Sequence, residues 1–187
     1  MSEVSVRVFA LTPSSIEITN GLMGPVEIIR RASDGVGTCR LKLLGSYAGT
    51  FTADDLIQVV YDDSIIAFEG FISEGHIIAE GDVYNQFYEI LAQDYACDLT
   101  FKNVVKEGQW MYKVQNADKI VDDMLSRASS EILFTPTTFY YGDSIDALSY
   151  TDTGSETLLE CFRKIFETIQ YDFYVDEDKN LIIFPSG

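Results

Sequence analysis

Partners that could activate a nucleophile or a general base are scarce in this sequence. The only histidine is His76, within Glu74-Gly75-His76-Ile77, so a Ser-His-Asp or Cys-His arrangement would have to use it. No segment beside it has the pattern of a nucleophile elbow. We interpret His76 as a solvated loop histidine that follows a strand. The sequence therefore predicts no catalytic residues and no enzyme.

The cysteines do not have the spacing of a metal site. Cys39, Cys97 and Cys161 are odd in number and far apart, and no CxxC pair is present. A structural zinc site needs about four Cys or His ligands close together. We expect three buried, reduced thiols instead. No metal and no cofactor is predicted.

Two other patterns suggest ligand binding only weakly. Asp176, Asp178 and Asn180 have the alternate spacing of the start of a calcium loop, but the glycine of the sharp turn and the closing glutamate are missing. The segment from Asp34 to Thr38 (DGVGT) contains GxG without a third glycine or a following helix. We interpret the first as an acidic hairpin tip and the second as a hairpin turn.

Adjacent carboxylates occur at Asp54-Asp55, Asp62-Asp63 and Asp122-Asp123. Glycoside cleavage needs two acids about 5 to 10 Å apart. In a chain with thirty acidic residues, however, adjacent acids arise from composition alone. These pairs therefore carry no specific signal for a hydrolase.

Charge and hydropathy exclude several classes of protein. Thirty acidic residues against thirteen basic ones give a formal charge of −17. A nucleic-acid-binding surface needs clustered Lys and Arg to replace the counterions of the phosphates, so the charge argues against this function. Solubility is the simpler explanation of the charge, although an acidic wall also lets DNA pass without sticking. No apolar run approaches the length of a membrane span, and the start of the sequence lacks the pattern of a secretion signal.

The stretch from Asp55 to Glu74 (DLIQVVYDDSIIAFEGFISE) is the clearest structural pattern. β-Branched and aromatic residues lie on both sides of the acidic turn Tyr61-Asp62-Asp63-Ser64, which predicts an antiparallel hairpin. Gly70, inside the second strand, indicates a bulge or a close backbone approach. Either feature lets a sheet curl, so we expect a curved sheet or a small barrel.

Further segments before residue 99 have the pattern of strands, and two later segments have the pattern of helices. The predicted strands are Val4–Leu11, Ile16–Ile18, Val26–Arg31, Thr38–Leu44 and Val83–Leu91. One helix is expected over Ala117–Ala128, and another after a capping box at Thr153-Gly154-Ser155-Glu156. Tyr171–Val175 and Asn180–Phe184 predict a terminal hairpin around an acidic turn.

The predicted fold class is α+β. A curved antiparallel sheet or β-barrel at the N-terminal side is followed by a small two-helix α/β module whose helices cover its sheet. The predicted division is 1–99 for the barrel region, 100–112 for a connection and 113–187 for the α/β module.

The order of these features resembles the tail hub proteins of phages and contractile injection systems, the late control D-like and baseplate hub group. The resemblance rests on Asp55–Val59, on Ala67–Ile72, on a strand ending at Asp94 and followed by Leu99, and on Glu156–Phe184. It spans roughly residues 4 to 185. No binding-site residue is assigned by it.

The resemblance implies a virion structural protein with tail-tube-like barrels, located in the virion tail and assembled in the host cytoplasm. Its expected partners are the tail-tube protein, other tail-tip, baseplate or spike proteins, and the tape-measure protein. DNA would be a transient passenger. A homo-oligomer is expected, with a trimer favoured and a hexamer possible.

Family members return to the barrel and continue into a second one, whereas this sequence stops at Pro185-Ser186-Gly187. The rest of the hub is then another chain, or this is a minimal hub with a different stoichiometry. A hexameric distal tail or tube-adaptor protein is the alternative within the same class. A tail-associated cell-wall hydrolase is the alternative from another class.

Overall fold

A computed structural model describes residues 5–12, 15–30, 35–62, 64–79, 86–100, 110–128, 137–141, 147–152 and 156–187. The chain divides into two compact units. The first comprises Met1–Arg30 and Gly37–Asp94, and the second comprises Arg31–Val36 and Tyr95–Gly187. The predicted boundaries at 99 and 112 stay a prediction, because residues 101–109 lie outside the described part. The short 3₁₀ helix Tyr95–Thr100 groups with the second unit.

The first unit is built on one antiparallel sheet of seven strands, in the spatial order β2-β1-β5-β6-β7-β4-β3. The strands are β1 (Val6–Ala10), β2 (Ile16–Glu17), β3 (Glu27–Ile29), β4 (Thr38–Leu44), β5 (Leu56–Tyr61), β6 (Ile65–Ala79) and β7 (Gln86–Asp94). All of these were expected from the sequence within a few residues. The start of the strand predicted over Val83–Leu91 lies outside the described residues.

The hairpin predicted between Asp55 and Glu74 is confirmed as β5 and β6. A bulge interrupts their pairing between Val59 and Val60, and a second bulge interrupts β6 and β7 between Ile72 and Glu74. At Gly70 a Cβ atom would collide with the backbone carbonyl of Gln93 on β7. The close approach predicted for this glycine is therefore real, and the bulges beside it increase the local twist.

The sheet curls because β6 pairs with β5 along its first half and with β7 along its second half. A single segment then connects the β1 side with the β4 side. Ile18 N–H donates to Val8 O at 2.8 Å, and Met23 N–H donates to Lys42 O at 2.8 Å. The six-residue stretch Ile18–Met23 thus reaches both sides of the sheet, so the curved, barrel-like sheet expected from the sequence is confirmed.

One apolar cluster fills the inside of this curl. Every second residue of a strand faces it, as the period of two requires. The largest fully buried members include Leu41, Leu43, Ile57, Ile72 and Ile90. Tyr47 and Phe51 stack in parallel with ring centroids 6.2 Å apart, and Phe51 belongs to the buried cluster.

The second unit contains two helices, a three-stranded sheet of order β11-β12-β9 and a two-stranded ribbon of order β10-β8. Its elements are β8 (Trp110–Asn116), α1 (Ala117–Ala128), β9 (Thr137–Tyr140), β10 (Ala147–Asp152), α2 (Leu158–Ile169), β11 (Tyr171–Val175) and β12 (Asn180–Pro185). No described helix has both the length and the apolar character needed to span a membrane.

Both predicted helices are present, and the apolar side chains along one face of each are buried. In α2, Phe162 and Phe166 pack against Phe173 of β11, with ring centroids 6.0 and 5.3 Å away. The predicted hairpin β11–β12 is antiparallel, with Tyr171 opposite Pro185. These contacts place α2 against the sheet, as a two-layer module requires.

The capping box predicted from Thr153 to Glu156 is wrong. The N-cap of α2 is Thr157, whose side chain accepts from Glu160 N–H while the Glu160 carboxylate accepts from Thr157 N–H. Glu156 instead accepts a hydrogen bond from Tyr150 Oη at 3.1 Å and pairs with Lys164. The sequence contains two consecutive Thr-x-x-Glu spacings, at residues 153–156 and 157–160, and sequence alone does not tell which one caps the helix. Residues 153–155 lie outside the described residues.

Candidate assembly surfaces

The residues singled out for chemistry are dispersed or engaged in local structure. His76 lies on β6 and not in a loop, so that part of its interpretation is wrong. Its side chain is exposed, and Nε2 is 3.3 Å from Glu89 Oε2 on β7. Arg40 Nε of β4 is 3.5 Å from the other oxygen of Glu89. The three side chains form a small polar row on the outer face of the sheet, with no nucleophile among them.

One residue in each of two acid pairs accepts local hydrogen bonds, and Asp63 of the third pair lies outside the described residues. Asp55 accepts from Thr52 N–H at 2.8 Å and from Thr12 Oγ1 at 3.2 Å, and the Thr52 N–H is the main cause that lowers the pKa of Asp55. Asp123 accepts from Tyr112 Oη at 2.7 Å and from Arg127 Nε at 3.1 Å. Both carboxylates are thus occupied by neighbouring donors.

The interpretation of Asp176 as part of a hairpin tip is confirmed. Its carboxylate accepts from Asn180 N–H at 2.7 Å and from Asn180 Nδ2 at 3.0 Å, which closes the turn between β11 and β12. Within the described part of the chain, no group of His, Cys, Asp and Glu side chains is placed to hold a metal ion.

The cysteines are free and buried, as expected. Burial raises the pKa of the Cys39 thiol to about 12. A thiol in this state is a small apolar side chain of the core, since only the thiolate is a strong nucleophile or metal ligand.

Three exposed apolar residues form a row at one end of the curled sheet, which we name the apolar rim: Val6, Tyr61 and Ile65. Val6 pairs with Tyr61, and Tyr61 pairs with Ile65. Directly paired residues lie on the same face, and on this face the next inward pair, Val8 and Val59, is buried. The rim therefore continues the core to the end of the sheet, where it meets solvent.

Two further features of the first unit are suited to contacts with other molecules. Strand β3 is an edge of the seven-stranded sheet, and Ile29 on it is 51% exposed. At the other end of the sheet, a groove of about 240 Å³ is lined mainly by apolar side chains of Ile16, Ile18, Tyr47 and Phe51. Exposed edges and apolar ends are features that soluble proteins cover by pairing or assembly.

The sequence alone did not indicate that these residues lie on exposed surfaces. Val6, Tyr61 and Ile65 read as ordinary strand residues, because their exposure depends on where three strands end relative to one another. The sequence pattern indicated only that these residues belong to strands. They lie side by side because distant segments pair: Val6 pairs with Tyr61, which is 55 positions later in the sequence.

The fold is shared with phage tail proteins. The 43 kDa tail protein of prophage MuSo2 from Shewanella oneidensis matches 100% of this chain with a TM-score of 0.69 at 13% identity, over 57% of its own length. Prophage tail protein gp18 from Listeria monocytogenes EGD-e matches 97% of this chain with a TM-score of 0.71 at 7% identity, over 51% of its own length.

A component of a secretion system shares the fold as well. The E. coli c3393 protein, a type VI secretion system component described as similar to T4 bacteriophage tail proteins gp27 and gp5, matches 97% of this chain with a TM-score of 0.58 at 12% identity, over 48% of its own length. No protein-family model and no curated protein matches the sequence. The resemblance to tail hub proteins is thus confirmed at the level of fold, and this chain spans about half the length of these neighbours.

Proposed function

We propose that this protein is a structural component of a phage tail tip or baseplate, a hub that joins the tail tube to the tip or spike. The observation that carries the proposal is the match of nearly the whole chain to tail proteins of separate phages and to a secretion component described as similar to phage tail proteins. A structural, non-enzymatic role also agrees with the dispersal of the candidate chemical residues.

The geometry of the first unit supports assembly into a ring. A curled sheet with an exposed edge at β3 and an apolar rim at one end has two kinds of unsatisfied surface. Closing a ring covers edges between copies, and stacking on a tube covers an end. We assign lateral contacts to the β3 edge and axial contacts to the apolar rim.

The charge suits a channel. Because each copy has a formal charge of −17, a ring of several copies repels the phosphates of DNA, and DNA does not bind to the channel wall. DNA and tape-measure protein would then pass during assembly or ejection. A trimer is the favoured state, and a hexamer would indicate a distal tail or tube-adaptor protein.

The test is binding to the tail-tube protein encoded with this chain, measured by sedimentation of the wild type and of two variants. Ile65→Asp on the apolar rim is expected to abolish co-sedimentation with tubes, because it buries an unpaired charge in the contact. The matched control is Met111→Asp on β8, since Met111 is 61% exposed and Ile65 is 58% exposed.

The control variant should bind tubes as the wild type does. If wild-type protein fails to bind tubes under conditions where the tubes are intact, the axial role is wrong. Equal binding by the Ile65→Asp variant would remove the apolar rim from the contact.

A further inference from the structure

Strand β9 is an edge strand of the three-stranded sheet that the described residues of the second unit form. It pairs in parallel with β12, with Phe139 opposite Ile182 and Tyr140 opposite Ile183. Among the described residues, no strand pairs with its other side. An edge of this kind presents a row of backbone donors and acceptors to any extended chain that reaches it.

The hydrogen bonds of the strand show which backbone groups face the open side. Tyr141 N–H donates to Ile183 O at 2.8 Å, so the amide of Tyr141 points toward β12. Alternate residues of a strand direct their backbone groups to the same side, so the amide of Phe139 points toward β12 too. The N–H and C=O groups of Thr138 and Tyr140 therefore point toward the open edge.

The outer face of the sheet beside this edge is aromatic. Phe139 is 44% exposed and Tyr141 is 59% exposed. On the adjoining strands of the same face, Tyr174 and Phe184 contact each other with ring centroids 6.0 Å apart. Aromatic side chains of this size supply most of the burial in a contact, so this face favours apolar side chains.

The opposite face beside the edge is acidic. Tyr140 points toward α1, where its hydroxyl donates to the backbone carbonyl of Asp118 at 3.3 Å. Burial raises the pKa of Tyr140, and the negative charges of Asp122 and Asp118 raise it further. The one basic side chain paired with these acids among the described residues is Lys119, whose Nζ is 3.9 Å from Asp118 Oδ2. Two carboxylates thus flank the inner side of the edge with little compensating charge.

We propose that β9 receives an extended segment of a partner protein in which apolar and basic residues alternate. Added beside β9, such a segment bonds to the outward groups of Thr138 and Tyr140. Its apolar residues lie against Phe139 and Tyr141, and its Lys or Arg residues face Asp118 and Asp122. The alternation follows from the period of two along a strand, and the basic character follows from the charge of the receiving side.

This inference goes beyond the hub assignment and does not depend on it. The apolar rim and the β3 edge lie in the first unit, whereas β9 lies in the second. A failure of strand binding at β9 leaves the tube contact untouched, and a failure of tube binding leaves strand binding at β9 testable.

The probe is an acetylated peptide of about nine residues, the length of an ordinary strand, with alternating valine and lysine. One control peptide has the same residues in two blocks, and another alternates valine with glutamate. Binding is measured by fluorescence anisotropy at low and moderate salt. Amide hydrogen exchange then locates the contact: the amides of Thr138 and Tyr140 should slow, whereas that of Tyr141, which is already bonded to β12, should change little.

Three protein variants separate backbone pairing from charge. Thr138→Pro removes an outward N–H without touching the ladder to β12, which is where proline is tolerated in a sheet; it should abolish binding. Asp118→Asn with Asp122→Asn should weaken binding about threefold to tenfold, as expected for two ion pairs formed near the protein surface. The matched control, Glu167→Gln with Asp178→Asn, makes the same charge change at exposed positions of the same unit.

If the block peptide binds as tightly as the alternating valine-lysine peptide, general charge attraction explains the binding, and the proposal is overturned. The peptide comparison is made on wild-type protein, so it holds even if the proline variant does not fold. Unchanged exchange at Thr138 and Tyr140 would overturn it as well. The protein without peptide could form dimers that the change Thr138→Pro dissociates. In that case a second copy of this chain occupies the edge, and the proposal of a partner with basic residues is wrong.

Discussion

Asp94 and Gly37 show how single residues fix the first unit. Gly37 N–H donates to Asp94 Oδ2 at 2.7 Å, and Asp94 N–H donates to Gly37 O at 3.0 Å. A Cβ at residue 37 would overlap Asp94 Oδ2 and lie 3.2 Å from Ile29 O. The aspartate that ends the strand in the resemblance to tail hubs therefore pins the start of β4 to the end of β7.

The change Gly37→Ala should lower the free energy of unfolding by about 1 to 3 kcal/mol, because the added methyl group forces the neighbouring groups apart. Urea unfolding followed by circular dichroism measures it. In the Asp94→Ala background the same change should cost less, since the overlapping carboxylate is gone. Additive costs in the double variant would show that the clash with Asp94 is not the cause.

Cys39 gives a second prediction at this scale. Because burial raises its pKa to about 12, almost no thiolate exists at mildly alkaline pH, and the side chain is fully buried. Cys39 should resist iodoacetamide in the native protein and react in urea, as peptide mass mapping will show. An exposed thiol introduced by Ser46→Cys is the control, and equal labelling rates for the two sites would contradict the buried state.

At the scale of elements, the N-terminus of α2 depends on Thr157. Its side chain and that of Glu160 satisfy two backbone donors that the helix leaves free. Thr157→Ala should therefore cost about 1 kcal/mol of stability, measured by urea unfolding. Thr168→Ala is the control on the same helix, because Thr168 Oγ1 donates to Lys164 O at 2.7 Å and such bonds do not stabilise helices. If Thr168→Ala lowers the free energy of unfolding more than Thr157→Ala does, the stabilising role of Thr157 as N-cap is contradicted.

Elements with a strong local period could be predicted from the sequence. The buried positions of α1 and α2, the β5–β6 hairpin and the β11–β12 hairpin follow from residues adjacent in the chain. Periodicity identifies such elements because one face must be apolar throughout.

The elements that sequence analysis missed lack this signal. Strand β9 has four residues, Thr-Thr-Phe-Tyr, too few to show a period, and its partner β12 begins 43 positions later at the paired residues Thr137 and Asn180. Strands β8 and β10 form a ribbon with a register shift between Leu148 and Tyr150. The candidate surfaces were missed for the same reason, because the apolar rim and the β9 edge exist only through pairing between distant segments.

At the scale of the whole molecule, the proposed role as a tail hub requires that this chain assembles. A charge of −17 opposes close packing of identical subunits, so their association should strengthen as salt screens the repulsion. Apolar contacts at the β3 edge would supply the opposing attraction. The variant Ile29→Arg at this edge should weaken self-association, whereas Met111→Arg in the second unit should not.

The most direct test of the central claim is the native mass of the purified protein, by light scattering or native mass spectrometry at low and moderate salt, alone and with tail-tube protein. We expect a closed oligomer, a trimer in the favoured case, that the change Ile29→Arg dissociates. A hexamer would retain the ring and favour the tube adaptor. A strict monomer at every salt concentration, with and without tube protein, would contradict the proposal that this fold serves here as a tail hub.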